Sequence, residues 1–325
     1  MDKRYISVFI PVYNGEKYLA ECISGVLAQE LPVGYTLELL VTDSGSSDKS
    51  VEIIRSFGDK IIFNEIPNSE FGHGKTRQAA AERARGDYIL FVTQDATPHD
   101  KFWILNMIEP FFISEKVGCV FGRQIPRPYA VPTIKREVSG VFNSFGAANS
   151  VVLHSKSTLV DNANYQDYNY FFSDVNSAVR KDLNATIPFR NVKYAEDMAL
   201  AEDIMNAGYI KAYSPRGAVW HSNEYTAGEY YHRKFDEFLG LIRNGDMKIT
   251  MGLKERLFGW IKPTIADWKF VKDDHEYNRR AKLKYIYIAP LYNVNEKRGK
   301  YDAIRYQNKE EEIQRRSLEQ RRTRK

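Results

Sequence analysis

The chain has 325 residues, of which 43% are hydrophobic and 27% charged, so it can bury a sizeable core and has room for a second, small domain. No stretch approaches the run of about 18 apolar residues that a transmembrane helix needs, and the N-terminus lacks the apolar core of a signal peptide. Cys22 and Cys119 show no metal-like spacing, which favours reduced thiols in a cytoplasmic protein over a disulfide framework.

Strand and helix patterns alternate through the first 95 residues. Apolar strands are predicted at residues 6–14, 37–43, 61–64 and 88–92, with helices at 16–29, 49–57 and 76–84 between them. This alternation predicts a mainly parallel sheet whose ligands gather at the carboxyl ends of the strands. Asp43 and Asp95, which follow two of these strands, are therefore expected on the same edge.

Each of these two carboxylates has two interpretations. Asp95 follows a buried strand, where α/β enzymes place catalytic or metal-binding groups. Residues 95–98 also fit a strand-to-helix turn, with Asp95 as the cap and Pro98 in the first helical turn. Asp43 precedes Ser44 and Gly45, a pattern typical of a turn that the carboxylate stabilises, and a fixed carboxylate there would also select a ligand that presents a hydrogen-bond donor.

The motifs around these strands resemble a known family. Residues 9–14, 41–48 and 88–95 are similar to the nucleotide-binding half of family 2 glycosyltransferases, which are inverting enzymes of the GT-A fold. Residues 72–77 and 93–96 resemble the bacterial rhamnosyltransferases within that family. The resemblance covers roughly residues 5–225, and its motifs are specific in combination although each alone is weak.

The resemblance implies an α/β fold with a Rossmann-like, mixed and mainly parallel sheet flanked by helices. It places a GT-A catalytic domain at residues 1–228, with a nucleotide-binding half at 1–100 and an acceptor half at 101–228. The remaining residues, 229–325, are expected to form a mainly helical, basic C-terminal region. This region would serve membrane association, oligomerisation or both.

The resemblance also implies a nucleotide site. Asp43 would accept a hydrogen bond from the imide N–H of the base, which suits uracil or thymine. Arg77 would contact the diphosphate, beside a Gly-rich turn that precedes a helix. The full set implied for nucleotide binding is Pro11, Tyr13, Asn14, Asp43, Ser46, Arg77 and Gln94.

A divalent cation is expected next to the diphosphate, since its charge must be neutralised as the bond to the sugar breaks. The family normally carries an Asp-x-Asp signature, but Thr93 replaces the first Asp here and leaves Asp95 as the obvious ligand for Mn²⁺ or Mg²⁺. His221 falls where GT-A enzymes place a further ligand. A lone histidine is more often structural, so both roles stay open for His221.

The second half offers the base that inverting transfer requires. Glu196 and Asp197 open a predicted helix and resemble the Glu-Asp motif of the family, which implies that Asp197 is the general base and Glu196 a supporting group. Acids in a first helical turn are also favoured by the helix dipole alone. Contacts to the donor or acceptor sugar are implied for His73, Asp174 and Asn176.

The basic charge is concentrated at the C-terminal end. Lys and Arg outnumber Asp and Glu by 16 to 9 in residues 271–325, against 31 to 33 in residues 1–270. Residues 251–262 mix large apolar side chains with cations, as interfacial helices do, although packing on the core or on another subunit is an equal alternative. The tail at 310–325 is expected to be exposed helix or disorder. No nucleic-acid-binding module accompanies the charge.

These observations predict a glycosyltransferase, cytoplasmic and peripheral on the inner membrane surface, that passes a sugar to a hydroxyl with inversion. The rhamnosyltransferase likeness implies dTDP-β-L-rhamnose as donor and a growing, lipid-linked polysaccharide as acceptor. The alternatives are a UDP-hexose donor, a nucleotidyltransferase that consumes a nucleoside triphosphate, and a non-catalytic carbohydrate-binding scaffold on the same fold.

Overall fold

The structure is a computed structural model that describes residues 3–158, 170–192, 195–244 and 249–318. Within these residues the chain forms two compact units. The first comprises residues 3–125, 141–158 and 170–221, and the second comprises residues 126–140 and 222–318. Most of the charged tail, residues 319–325, lies outside the described part of the chain.

The first unit is built on one mixed sheet of nine described strands. They are β1 (Arg4–Val12), β2 (Tyr35–Asp43), β3 (Ile62–Glu65), β4 (Tyr88–Val92), β5 (Thr97–Pro98), β6 (Val117–Ile125), β7 (Val152–His154), β8 (Asn176–Arg180) and β9 (Ile210–Trp220). Their order in the sheet is β3-β2-β1-β4-β8-β6-β9-β5, and β7 pairs with β9. The strands β1 to β4 pair in parallel, as do β6 and β9, while β5, β7 and β8 run antiparallel to their neighbours. The predicted GT-A-type sheet is thereby confirmed.

Helices pack on this sheet through apolar faces. In the first helix, α1 (Leu19–Leu27), four fully buried residues recur with helical spacing: Leu19, Cys22, Ile23 and Val26. The helices of this unit are α1 (Leu19–Leu27), α2 (Ser50–Ser56), α3 (His73–Arg83), α4 (Trp103–Ile113), α6 (Lys181–Asn184) and α7 (Glu196–Asn206), with short 3-10 turns at Gly58–Lys60, Asn68–Glu70 and Lys156–Thr158. The helix α5 (Pro132–Ser144) belongs to the second unit up to Gly140.

The parallel pairings align three strand ends. Val12 of β1 lies opposite Asp43 of β2, and Phe9 of β1 lies opposite Phe91 of β4. Because these strands run in the same direction, the residues that follow Val12, Asp43 and Val92 lie at one edge of the sheet. The expectation that Asp43 and Asp95 share an edge is confirmed.

The alternative interpretation of residues 95–98 as a helix start is wrong. Thr97 and Pro98 form the short strand β5, which pairs with Trp220 and Val219 of β9, and the next helix begins at Trp103. Proline is tolerated here because β5 is the last strand in the sheet order, where a missing N–H is not needed for a further neighbour.

The second unit is helical. Its helices after α5 are α8 (Ala227–Asn244), α9 (Leu253–Phe258), α10 (Ile261–Asp273), α11 (Arg279–Tyr306) and α12 (Glu310–Arg316). Phe235 of α8, Ala303 of α11 and Ile313 of α12 are buried together in one hydrophobic cluster. None of the described helices has the length and apolar character required to cross a membrane.

Buried charged side chains of this unit form hydrogen bonds and ion pairs within the unit. Asp267 is fully buried and accepts hydrogen bonds from Thr133 Oγ1 at 2.7 Å and from Asn293 Nδ2 at 2.6 Å. The buried ammonium of Lys135 pairs with Asp274 at 2.9 Å and with Glu276 at 2.6 Å. These buried polar groups therefore find partners inside the unit, as burial requires.

Candidate active site

The turn after β2 is organised around Asp43, which is 2% exposed. Its Oδ1 accepts hydrogen bonds from the backbone N–H groups of Gly45 and Ser46, each at 2.9 Å, and its Oδ2 accepts one from the Ser46 hydroxyl. Gly45 adopts a left-handed conformation with φ of 87°, which suits a residue without a side chain. In the structure Asp43 thus stabilises its own turn, and its role toward a base stays a prediction.

The loop after β1 is held by hydrogen bonds to that same turn. Asn14 has a φ of 49°, its N–H donates to Ser46 Oγ at 2.8 Å, and its Oδ1 accepts from the N–H of Ser47 at 2.8 Å. Asn14 is exposed while Pro11 and Tyr13 are half-buried. The structure therefore brings Pro11, Tyr13, Asn14 and Ser46 together at the edge where the sequence placed the nucleotide.

Gln94 clamps the loop from the side of β4. Its Oε1 accepts from the backbone N–H of Tyr13 at 2.8 Å, and its Nε2 donates to the carbonyl of Tyr13 at 2.9 Å. A Cβ on Gly15 would lie 2.4 Å from Gln94 Oε1, so the clamp requires a glycine at this position. These bonds show that Gln94 positions the loop after β1, and its contact with a nucleotide stays a prediction. The need for Gly15 is not visible in the sequence.

Asp95 faces His221 from the neighbouring end of β9. His221 Nε2 lies 3.6 Å from Asp95 Oδ2, and the Asp95 side chain keeps 38% of its surface exposed while that of His221 keeps 7%. Burial opposes a charge on Asp95, but the close imidazole outweighs it and holds the pKa of this carboxyl well below its ordinary value. Asp95 therefore carries a negative charge at neutral pH, at a position that solvent reaches.

The orientation of the His221 ring is set by Gln124, a residue that the sequence did not single out. Gln124 Nε2 donates to Ser173 Oγ at 3.1 Å, and its Oε1 faces His221 Nδ1 at 2.9 Å. Because an amide oxygen only accepts, Nδ1 is the donor of this hydrogen bond, and Nε2 is the ring nitrogen that faces Asp95. The pairing of Gln124 with Val219 in β6 and β9 brings these groups together, and no local motif signals it.

A second group of carboxylates surrounds the buried guanidinium of Arg77. Arg77 Nε lies 3.1 Å from Asp174 Oδ2, and Arg77 Nη1 lies 2.8 Å from Glu196 Oε1. The side chains of all three residues are at most 8% exposed. These contacts favour a positioning role for Arg77 over the predicted diphosphate contact, because its charge is already neutralised by two buried carboxylates.

Asp197 lies next to this cluster at the start of α7. Its Oδ1 accepts from the N–H of Met198 at 2.8 Å, and its Oδ2 accepts from the N–H of Asp174 at 3.3 Å. The residue before the helix, Ala195, has a left-handed backbone with φ of 59°. Such a conformation costs free energy in an alanine and is typical of functional sites.

Burial raises the pKa of each carboxyl in the cluster. The pKa of Asp174 rises to about 6, opposed by Arg77 and supported by the charge of Asp197. The pKa of Glu196 rises to about 7 through burial and the charges of Asp197 and Asp174, again opposed by Arg77. Burial also raises the pKa of Asp197. A carboxylate with a raised pKa is a stronger proton acceptor, which suits a general base.

The raised pKa of Glu196 predicts a pH-dependent stability. Below about pH 4 the group is protonated in both states, and as pH rises toward 7 the unfolded state releases its proton first, which lowers the free energy of unfolding. We expect Glu196→Gln to remove this loss, so that its stability relative to wild type increases by about 3 kcal/mol between pH 4 and pH 8. Urea unfolding of both proteins at pH 4 and pH 8 measures this change. A stability difference between variant and wild type that is the same at both pH values would contradict the raised pKa of Glu196.

Two further predicted sugar contacts are placed differently from one another. Asn176 is fully buried: its Oδ1 accepts from Trp103 Nε1 at 2.9 Å, and its Nδ2 donates to the carbonyls of Gly217 at 2.7 Å and Arg123 at 3.2 Å. These bonds favour a structural role. His73 is exposed at the start of α3 and remains available to a ligand.

The chain is similar to several known proteins. The family model described as "Glycosyl transferase family 2" matches residues 7–183. O-antigen chain rhamnosyltransferase RfbN of Salmonella typhimurium is 31% identical over 235 residues, which cover 71% of this chain and 70% of that protein. O-antigen chain rhamnosyltransferase WbaN of Salmonella anatum is 32% identical over 203 residues, covering 61% of each.

A solved structure shares the fold. The mannosyltransferase PcManGT from Pyrobaculum calidifontis, in complex with GDP-Man and Mn²⁺, aligns with a TM-score of 0.57 over 94% of this chain and 87% of that one. The sequence identity is 16%, so this likeness concerns the GT-A fold alone. The match of the family model over more than half of this chain, together with the 31% identity to RfbN, shows that the chain belongs to glycosyl transferase family 2.

Proposed function

We propose that this glycosyltransferase moves L-rhamnose from dTDP-β-L-rhamnose to a hydroxyl of a growing, lipid-linked polysaccharide at the cytoplasmic face of the membrane, with inversion at the anomeric carbon. The two rhamnosyltransferase relatives support the sugar. The observation that carries the chemistry is the pairing of a charged, accessible Asp95 with Nε2 of the His221 imidazole, at the same sheet edge as the Asp43 turn.

Asp95 and His221 have the chemistry of a divalent-cation site. The described residues contain no group of three or more His, Cys, Asp or Glu side chains that could hold a metal by itself. One carboxylate and one imidazole suffice when phosphate oxygens and water complete the coordination. Mn²⁺ or Mg²⁺ held there would neutralise the charge of the departing diphosphate.

The protein's own groups divide the remaining work. The Asp43 turn and the loop held by Gln94 form the wall for the base, and Asp43 accepts from its imide N–H. Asp197 removes the proton of the acceptor hydroxyl while the hydroxyl oxygen bonds to the anomeric carbon, on the face opposite to the departing diphosphate. Arg77 and Glu196 keep Asp197 at the start of α7 in place.

The proposal is tested by supplying dTDP-β-L-rhamnose and a lipid-linked glycan acceptor and following release of dTDP. Inversion predicts an α-L-rhamnosyl product, which the one-bond coupling between C1 and H1 in its NMR spectrum identifies. A β-linked product would contradict the inverting mechanism, and transfer from a UDP-hexose but not from dTDP-rhamnose would contradict the donor.

The orientation of the His221 ring gives a separate prediction. Gln124→Met removes the acceptor of the Nδ1 hydrogen bond while keeping the side-chain size, so the ring is no longer held with Nε2 toward Asp95. Affinity for Mn²⁺ in the presence of dTDP should fall about 10–100-fold, as for other groups that orient a histidine ligand. Calorimetric titration with MnCl₂ measures this, with Gln29→Met, an amide on α1's C-terminal side, as the matched control. Equal affinity in both variants would contradict the role of Gln124 in orienting a metal-binding His221.

A further inference from the structure

The helical unit exposes two rows of apolar side chains. On α9 and α10 the row consists of Leu253, Leu257, Ile261, Ile265 and Trp268, each at least 38% exposed. Their spacing of four, four, four and three residues keeps them on one side of the helices. Exposed apolar residues scattered singly are ordinary, but a continuous row indicates an interaction surface.

A second row lies on α11 and consists of Leu283, Tyr287, Leu291 and Val294, of which Tyr287 is 77% exposed. Its spacing of four, four and three residues repeats that of the first row. The other side of α11 is the packed one, since Tyr285, Ala289 and Tyr292 are buried. The helix is therefore apolar toward both the core and the surface.

Three contacts show that the two rows lie side by side. Lys282 Nζ donates to the carbonyl of Lys272 at 2.8 Å, and Trp268 Nε1 donates to the carbonyl of Ile286 at 2.9 Å. Farther along, Lys300 Nζ pairs with Glu255 Oε1 at 2.7 Å. Residue numbers fall on one helix as they rise on the other, so α9–α10 and α11 run antiparallel. The nine residues form one surface, here called the α9–α11 face.

The segment that carries this face has an unbalanced surface charge. Residues 253–294 contain nine Lys and Arg and five Asp and Glu. Four of the five acids are already paired: Glu255 with Lys300, Asp267 with Arg136, and both Asp274 and Glu276 with Lys135. In the described part of the chain, none of the nine cations forms a salt bridge. Around the apolar rows the available charge is therefore almost entirely positive.

We propose that the α9–α11 face binds the surface of an anionic phospholipid bilayer. The apolar rows, which include Trp268 and Tyr287, would enter the headgroup region, and the surrounding cations would pair with lipid phosphates. A second copy of this chain fits less well, because a two-fold interface places the same cations opposite one another. This surface goes beyond the proposed sugar transfer, and it extends well past the segment 251–262 that the sequence indicated.

The apolar part is tested on the full chain with Leu257→Gln, Tyr287→Gln and Leu291→Gln combined, since glutamine keeps the helix and these side chains are exposed. Val33→Gln, Phe112→Gln and Ile113→Gln form the matched control, exposed apolar residues of the sheet unit. Flotation with vesicles containing phosphatidylglycerol should show binding at least about tenfold weaker for the face variant, and wild-type binding for the control.

The charge part uses Lys262→Gln with Lys272→Gln, against Lys60→Gln with Lys116→Gln as exposed cations of the sheet unit. The first pair should weaken binding about tenfold and the second should not. Wild-type protein should bind neutral phosphatidylcholine vesicles weakly, and its binding to anionic vesicles should weaken at high salt.

Several results would overturn the proposal. One is a face variant that has native circular dichroism and still binds vesicles as wild type does. Another is wild-type protein that binds neutral and anionic vesicles equally. A third is a wild-type dimer that the substitutions in the face dissociate, because a second copy would then be the occupant of the face. Calorimetric affinity for dTDP serves as an independent readout. It should be unchanged in every variant, so failure of this proposal and failure of the proposed sugar transfer are distinguishable.

Discussion

Replacing Asp197 by asparagine should lower sugar transfer by about 10²–10⁴-fold and leave nucleotide binding close to wild type. Asparagine keeps the shape, and its Oδ1 still accepts the hydrogen bond from the N–H of Met198. What is lost is the carboxylate that takes the acceptor proton, whose raised pKa makes it an effective base. Initial transfer rates and calorimetric titration with dTDP separate the two effects.

Asp203 provides the matched control for this variant. It lies on the same helix, and its carboxylate pairs with Arg190 at the surface, away from the buried cluster. Asp203→Asn should transfer sugar at close to the wild-type rate. The assignment of Asp197 fails if Asp197→Asn retains that rate, or if both variants lose activity equally.

Arg77→Met should destabilise the protein by about 3–5 kcal/mol at pH 8, because it leaves Asp174 and Glu196 buried without their shared cation. The loss should be smaller at pH 5, where the raised pKa of Glu196, about 7, allows this carboxyl to be neutral. Urea unfolding at the two pH values gives both numbers. A residue that only contacts the diphosphate would weaken donor binding without this loss of stability.

The double variant Arg77→Met with Glu196→Gln tests whether the loss of stability in Arg77→Met comes from the unpaired carboxylates. Removing one buried carboxylate together with its partner should restore part of the stability at pH 8, so the two changes are not additive. Arg55→Met is the control, since Arg55 pairs with Glu65 at the surface and both side chains are about half exposed or more. Additive losses, or an equal loss in the control, would contradict a buried cluster centred on Arg77.

The parallel half of the sheet could be predicted from the sequence because its strands are short apolar runs with helical patterns between them. Residues 88–92 and 37–43 show this directly, and both are strands in the structure. The position of Asp43 and Asp95 then follows from the common direction of β1, β2 and β4. Local pattern and chain direction were sufficient for this much of the site.

The remaining contacts depend on pairings between residues far apart in the chain. Arg77 and Glu196 are 119 residues apart, and Gln124 and His221 are 97 apart. No local signal distinguishes a guanidinium that meets phosphate from one that meets two buried carboxylates. The strand at Thr97 and Pro98 likewise forms only because β9 lies beside it, whereas the local residues favour a helix start.

A metal-assisted transferase for a dTDP-activated sugar must bind that donor selectively, and calorimetry measures this binding. The protein is titrated with dTDP-rhamnose, UDP-glucose, UDP-galactose and UDP-N-acetylglucosamine, each with and without Mn²⁺. We expect dTDP-rhamnose to bind most tightly, and Mn²⁺ to strengthen its binding in wild type but not in Asp95→Asn. Preference for a UDP-sugar, or binding of dTDP-rhamnose that depends on neither Mn²⁺ nor Asp95, would contradict the proposed donor and metal site.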